Sequence, residues 1–152
     1  MRVELDQAAL IDPIWPDGIG VERFAPRFAL ELHSLLAHAY RNGGGGVEEY
    51  ETWLPRMTSD AEFDRDLWFL AAADGALVGA ALCWTSAFVK DLVVHESWRR
   101  RGLGEALLRR VFVEFSTRGH ATVELKVRAT NAAAIRFYER AGMQIVERPT
   151  RD

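Results

Sequence analysis

The chain reads as a mixed α/β, or α+β, domain with a central sheet. Three observations predict it. Two apolar runs in "LWFLAAADGALVGAALCW" flank Asp74-Gly75, the signal for a tight hairpin of adjacent antiparallel strands. "TVELKV" (122–127) alternates, with Val123, Leu125 and Val127 on one face. Three stretches carry apolar residues at helical spacing and are interleaved with the strand patterns, which is the arrangement of a sheet covered by helices.

The elements follow in order. Residues 1–19 read as an irregular, proline-containing arm, and "GVERFA" (20–25) as a short strand. "PRFALELHSLLAHAYRN" places Pro26 in its first turn and Phe28, Leu32, Leu35, Leu36 and Ala39 on one face, an amphipathic helix. "GGGG" (43–46) ends it as a hinge, and "VEEYETWLPRM" predicts a second, shorter helix with Tyr50, Trp53 and Leu54 on one side. After the hairpin, "FVKDLVV" (88–94) is the next strand. A helix then buries Leu103, Leu107 and Val111, flanked by Ala106, Phe112 and Phe115. After "TVELKV", "NAAAIRFYERAG" opens on Asn131 as N-cap and stops at Gly142, leaving "QIVER" as a last short strand.

With 152 residues and 49% hydrophobic content the chain is expected to fold as a single domain, 1–152, around a real core. No long uncharged apolar run appears, and the N-terminus is too acidic and too broken by proline for a signal peptide, so a cytoplasmic, membrane-free protein is expected. Cys83, the single cysteine, sits in an apolar run and reads as a buried structural thiol. His33, His38 and His120 lack metal-ligand spacing, and no Ser/His/Asp arrangement stands out, so neither a metal nor a nucleophilic enzyme is expected.

Charge is unevenly distributed. Residues 1–80 hold 6 Lys/Arg against 14 Asp/Glu, whereas residues 81–152 hold 13 against 8. The second half suits an anion. Its positive charge is concentrated at one glycine turn and two helical patterns rather than on a broad face, which argues against a nucleic-acid partner. That turn, "WRRRGLGEALLRR" (98–110), lies between a strand and a helix, where unpaired backbone N–H groups and the helix dipole favour a phosphate and glycine permits close approach. It is neither a P-loop, which needs Lys-Ser/Thr after the second glycine, nor a dinucleotide fingerprint, which needs a third. On its own the turn is compatible with a phosphate cradle or with a solvated basic loop.

Two motifs together carry a resemblance. "DLVVHESWRRRGLGEALL" is similar to the R/Q-x-x-G-x-G/A motif of the GNAT superfamily of acetyl-CoA-dependent N-acetyltransferases, through Arg99, Gly102 and Gly104. "NAAAIRFYERAGM" resembles that family's N-x-x-A-x-x-x-Y-x-x-x-G-F motif through Asn131, Ala134, Tyr138 and Gly142, with Met143 in place of the aromatic. The resemblance implies a mixed, mostly antiparallel sheet flanked by helices, and acetyl transfer from acetyl-CoA to a primary amine by direct attack, with no metal. A catalytically inactive coenzyme A-binding module of the same fold is the alternative.

Residue by residue, it implies that the main chain of Leu92, Val93 and Val94 contacts pantetheine and that the Val94 N–H polarises the acetyl carbonyl. Backbone groups from Arg99, Arg100, Arg101, Gly102, Leu103, Gly104 and Glu105 would wrap the pyrophosphate, with Arg100 and Arg101 in reach of the 3′-phosphate. Asn131 and Ala134 would meet the pantetheine arm, and Phe137 and Arg140 would lie along the cofactor. Tyr138 matches the general acid, placed to protonate the leaving thiolate. Glu96, Asp91 and His95 stand near the strand as candidate bases, of which Glu96 is taken as the catalytic candidate; many family members have proline there. Nine residues follow Met143, too few for the family's closing hairpin, which implies a shortened C-terminal end and a bare sheet edge. The arm "MRVEL" or a partner subunit of a homodimer is expected to cover it.

Overall fold

The computed structural model describes residues 1–6, 10–41 and 46–146. Its strands are β1 (Arg2–Glu4), β2 (Gly20–Arg23), β3 (Trp68–Ala73), β4 (Ala76–Trp84), β5 (Phe88–Val94) and β6 (Thr122–Leu125). Its α-helices are α1 (Ala29–Ala39), α2 (Tyr50–Thr58), α3 (Leu103–Thr117) and α4 (Ala132–Arg140). One sheet runs β1-β6-β5-β4-β3-β2, antiparallel throughout except for β5 and β6, which are parallel.

Two apolar layers sandwich the sheet. On one face α1 and α2 bury Leu32, Leu36, Trp53 and Met57 against Trp68, Leu70, Ala80 and Leu82. On the other α3 buries Leu107, Val111, Phe112 and Phe115 against Phe69, Ala81, Val89 and Val123. The helical stripe expected for α3 is the stripe it buries. The β3–β4 hairpin turns at Asp74 and Gly75, both with positive φ (51° and 80°), as a two-residue turn between right-twisted strands requires. The buried guanidinium of Arg109 on α3 donates to the carbonyl of Ala141 at 3.3 Å and so ties the end of α4 to α3.

Several sequence expectations need correction. The arm 1–19 is not wholly irregular: β1 pairs antiparallel with β6 through Arg2↔Glu124, Val3↔Val123 and Glu4↔Thr122, with Val3 buried and Arg2 ion-paired to Glu124 at 2.6 Å. The bare edge is thus covered by the chain's own N-terminal segment. "TVELKV" stops being a strand at Leu125, and within the described part of "QIVER" only Gln144 makes a bridge, to Arg2. The first helical pattern begins as a 3-10 turn, Pro26–Phe28, because a proline at the start leaves no N–H to misplace. Of the glycine hinge, 43–45 lie outside the described residues.

Candidate functional site

Strand β5 meets β6 only at Phe88↔Glu124 and Val89↔Leu125. The ladder ends there among the described residues, so the main chain of Leu92, Val93 and Val94 has no β6 partner. Beyond Val94 the chain passes through a 3-10 turn, Glu96–Trp98, into the glycine turn. Arg100 (φ 65°) and Gly102 (φ 84°) are both left-handed, a conformation that glycine adopts without steric cost and that reverses the chain into α3. Gly102 is the N-cap, and no side chain caps the helix. The first N–H groups of α3, on Leu103, Gly104 and Glu105, therefore lack both an intrahelical acceptor and a side-chain one, which suits an anion.

The second motif faces the first. A Cβ placed on Gly104 would lie 3.4 Å from Phe137 Cζ on α4 and 3.6 Å from Val94 Cγ2, so the glycine turn, the end of β5 and α4 meet at one place. Asn131 caps α4, its Oδ1 accepting the Ala134 N–H at 3.1 Å. Tyr138 packs edge-on to Phe137 at 5.2 Å, and burial pushes its phenol above the usual range. Arg99, Arg100 and Arg101 are exposed, and the Arg101 guanidinium sits 4.5 Å over the Trp98 ring. Arg140 is exposed at the end of α4.

The candidate bases separate. Glu96 is an exposed rim residue whose Oε1 lies 3.1 Å from His38 Nε2 at the end of α1, and His38 stacks on His95 with ring centres 5.1 Å apart. Asp91 is 6% exposed, and its Oδ1 accepts a hydrogen bond from the Tyr40 hydroxyl. Burial first, then the charge and hydrogen bond of Asp91, push the Tyr40 phenol far above its ordinary value. Tyr40 and His38 escaped sequence reasoning because each meets its partner across more than fifty residues of chain. Cys83 is fully buried and burial raises its thiol. Among the described residues no group of three His, Cys, Asp or Glu is placed to hold a metal, and no helix is long and apolar enough to cross a membrane.

Residues 29–143 match the acetyltransferase (GNAT) family. The chain is 34% identical over 93 residues to the ribosomal protein bS18-alanine N-acetyltransferase of Escherichia coli K12, covering 59% of this chain and 63% of that protein. It is 30% identical over 152 residues to the mycothiol acetyltransferase of Streptomyces avermitilis, covering 93% of this chain and 48% of that one. A crystal structure of a GCN5-related N-acetyltransferase from Sphaerobacter thermophilus superposes with a TM-score of 0.78 at 32% identity, over 94% of this chain and 46% of that chain. The chain thus spans about half to two thirds of the length of these relatives.

Proposed function

The chain belongs to the acetyltransferase (GNAT) family, and from that premise we propose that it transfers the acetyl group of acetyl-CoA to a primary amine, which attacks the thioester directly while both are bound. The observation that carries this reading is the uncapped N-terminus of α3, entered through left-handed Gly102 and opening on the unpaired end of β5. Such a cradle fits a pyrophosphate, because the donors are backbone groups already held in place and no side chain competes for them.

The roles follow from what each residue has free. The N–H groups of Leu103, Gly104 and Glu105, with the turn Arg99–Gly102, hold the pyrophosphate, and Arg100 and Arg101 bring charge to the 3′-phosphate. The main chain of Leu92 to Val94 replaces its missing ladder partner with pantetheine amides, and the Val94 N–H faces the acyl oxygen. Asn131 uses its oxygen on Ala134 and keeps its amide N–H2 for the pantetheine arm, beside Ala134, Phe137 and Arg140. Tyr138 acts as the acid. A tyrosine phenol is protonated at neutral pH, as a donor to a departing thiolate must be, and burial moves this one further in that direction. Glu96 serves as base, its exposed carboxylate standing beside His38 at 3.1 Å.

Thiol release from acetyl-CoA tests the reaction with a panel comprising an alanine-initiated peptide, lysine, a polyamine and an aminoglycoside. The name of the bS18-alanine relative puts the peptide first. Amine-dependent release is expected, and acetyl-CoA at 100 times its Kd should stabilise the fold by about 2.7 kcal/mol. Absence of that stabilisation would overturn the cofactor assignment; stabilisation without release under any amine would favour the inactive module.

A further inference from the structure

The carboxylate of Asp91 is placed by an irregularity in β5. Leu82 pairs with Asp91 but Cys83 pairs with Val89, so Lys90 is one extra residue on β5. In an unbroken strand Val89, Asp91 and Val93 would share a face. Here Val89 packs in the core beneath α3 while Val93 packs beneath α1 and α2. Asp91, opposite Leu82 of that second layer, is turned to the α1–α2 side.

There it lines a cavity of about 300 Å3 with Tyr40, Glu48, Trp53, Arg56 and Lys90. Its Oδ1 is held by the Tyr40 hydroxyl, but its Oδ2 is buried without a hydrogen-bond partner. The nearby cation, Lys90 Nζ, is 3.6 Å from Oδ2 on a side chain that is 41% exposed. Arg56 is taken up by Glu48 at 3.1 Å. A buried carboxylate oxygen left without a donor is costly, and a ligand donor entering the cavity relieves that cost. Tyr40 remains a hydroxyl donor and so holds the carboxylate in one orientation.

Resting on the acetyl-transfer reading, we propose that this cavity receives the acceptor and that Asp91, oriented by Tyr40, binds an ammonium group of a compact cationic amine. The ammonium takes the open Oδ2, Lys90 swings to solvent, and the rings of Tyr40 and Trp53 flank the cation and its alkyl stem. Asp91 lies three residues from Val94, roughly 10 Å along the strand. The bound ammonium is therefore either the group that becomes the attacking nitrogen, once it has passed one proton to the Asp91 carboxylate or to water and so freed its lone pair, or a second cationic group of the acceptor that stays protonated.

Three probes test this on the acetyl-CoA-bound protein: butylamine, 1,4-diaminobutane and 1-butanol. Both amines, and not the alcohol, are expected to raise the melting temperature of the wild type. If the attacking nitrogen sits at Asp91, butylamine is acetylated and Asp91→Asn raises its KM at least tenfold. If a second cation sits there, 1,4-diaminobutane has a KM at least tenfold below that of butylamine, and Asp91→Asn abolishes the difference. Tyr40→Phe, which keeps the charge but frees its orientation, should raise KM by a smaller factor in the same arm. Equal melting shifts for amine and alcohol, or KM values within twofold of wild type in a folded Asp91→Asn, overturn the proposal. Stabilisation by acetyl-CoA is read separately, so its absence would sink the acetyl-transfer reading and its presence would leave any failure to Asp91 alone.

Discussion

Replacing Gly102 by alanine puts a Cβ on a residue held at φ 84° and ψ 6°. No atom lies within 4 Å of that Cβ, so the cost is torsional and not a clash. An L-residue in this region loses about 1–2 kcal/mol. For a chain of this size each kcal/mol lowers Tm by roughly 2–4 °C, giving a fall of about 2–8 °C. Gly104 differs: it lies inside α3, its added Cβ would make ordinary contacts at 3.4 and 3.6 Å, and alanine gains up to about 1 kcal/mol of helix propensity. Gly104→Ala should therefore melt at or slightly above wild type and keep its acetyl-CoA-induced shift, while Gly102→Ala melts lower and loses part of that shift. This difference also gives a physical reason for a motif that demands glycine first and accepts glycine or alanine second. Thermal melts followed by circular dichroism, with and without acetyl-CoA, make the comparison; a Gly104→Ala variant less stable than Gly102→Ala would refute the torsional argument.

Tyr138→Phe removes the proposed donor and keeps the packing on Phe137, so kcat should fall by about 100-fold or more with little change in acetyl-CoA binding; a kcat within threefold of wild type would exclude the acid role. Arg118 bridges Asp64 and Glu114, each at 3.0 Å. The Asp66 N–H and Arg118 hold Asp64 low; Glu114 is raised by its burial but more strongly lowered by Arg118 and Arg110. Both carboxyls have depressed folded values, so their contribution is present above the unfolded range near about 4 and is lost as pH falls below it. Arg118→Ala should accordingly cost about 0.5–1 kcal/mol in urea unfolding at pH 7 and progressively less toward pH 3, whereas a pH-independent difference would remove the ion pairs as its cause. Cys83, fully buried with its thiol raised, should ignore an aromatic disulfide reagent in the native protein and react stoichiometrically in urea.

Local pattern made most of the fold legible. The Asp-Gly hairpin, the stripe of α3 and the Asn131 cap are decided by residues within a turn or two of one another, and β5 spans Phe88–Val94, the segment read as a strand in the sequence. Pairing between distant segments was not legible in the same way. "RVE" at the N-terminus is too short to show alternation, and becomes a strand because β6 offers an unpaired edge and a place for Val3 opposite Val123. β6 likewise ends where this pairing does: Met1 and Leu125 exchange hydrogen bonds at 2.7 and 2.9 Å, and the strand stops there despite the apolar Val127.

The candidate site divides along the same line. The half around the glycine turn is built from one contiguous turn and one helix, so two short motifs that resemble those of the family bring Gly102, Gly104, Asn131 and Tyr138 into view. The opposite half depends on a bulge. Period-two reading of "FVKDLVV" assigns Asp91 to the side of Val89, within the apolar core under α3, where a carboxylate would have no polar neighbour. One extra residue, Lys90, reverses that assignment and delivers Asp91 to Tyr40, a residue 51 positions earlier that closes α1. In sequence Glu96, Asp91 and His95 all stand near the end of the strand, and nothing local separates their roles. In the fold the two carboxylates separate: Asp91 is buried and held by Tyr40, which suits the proposed anchoring of the acceptor, while Glu96 stays exposed beside His38, where the proposed base sits. Exchanging Lys90 for no residue at all, a one-residue deletion, should restore the regular ladder and move Asp91 off the cavity. If the acceptor site depends on that placement, acetyl-CoA still stabilises the deletion variant, but butylamine and 1,4-diaminobutane no longer do.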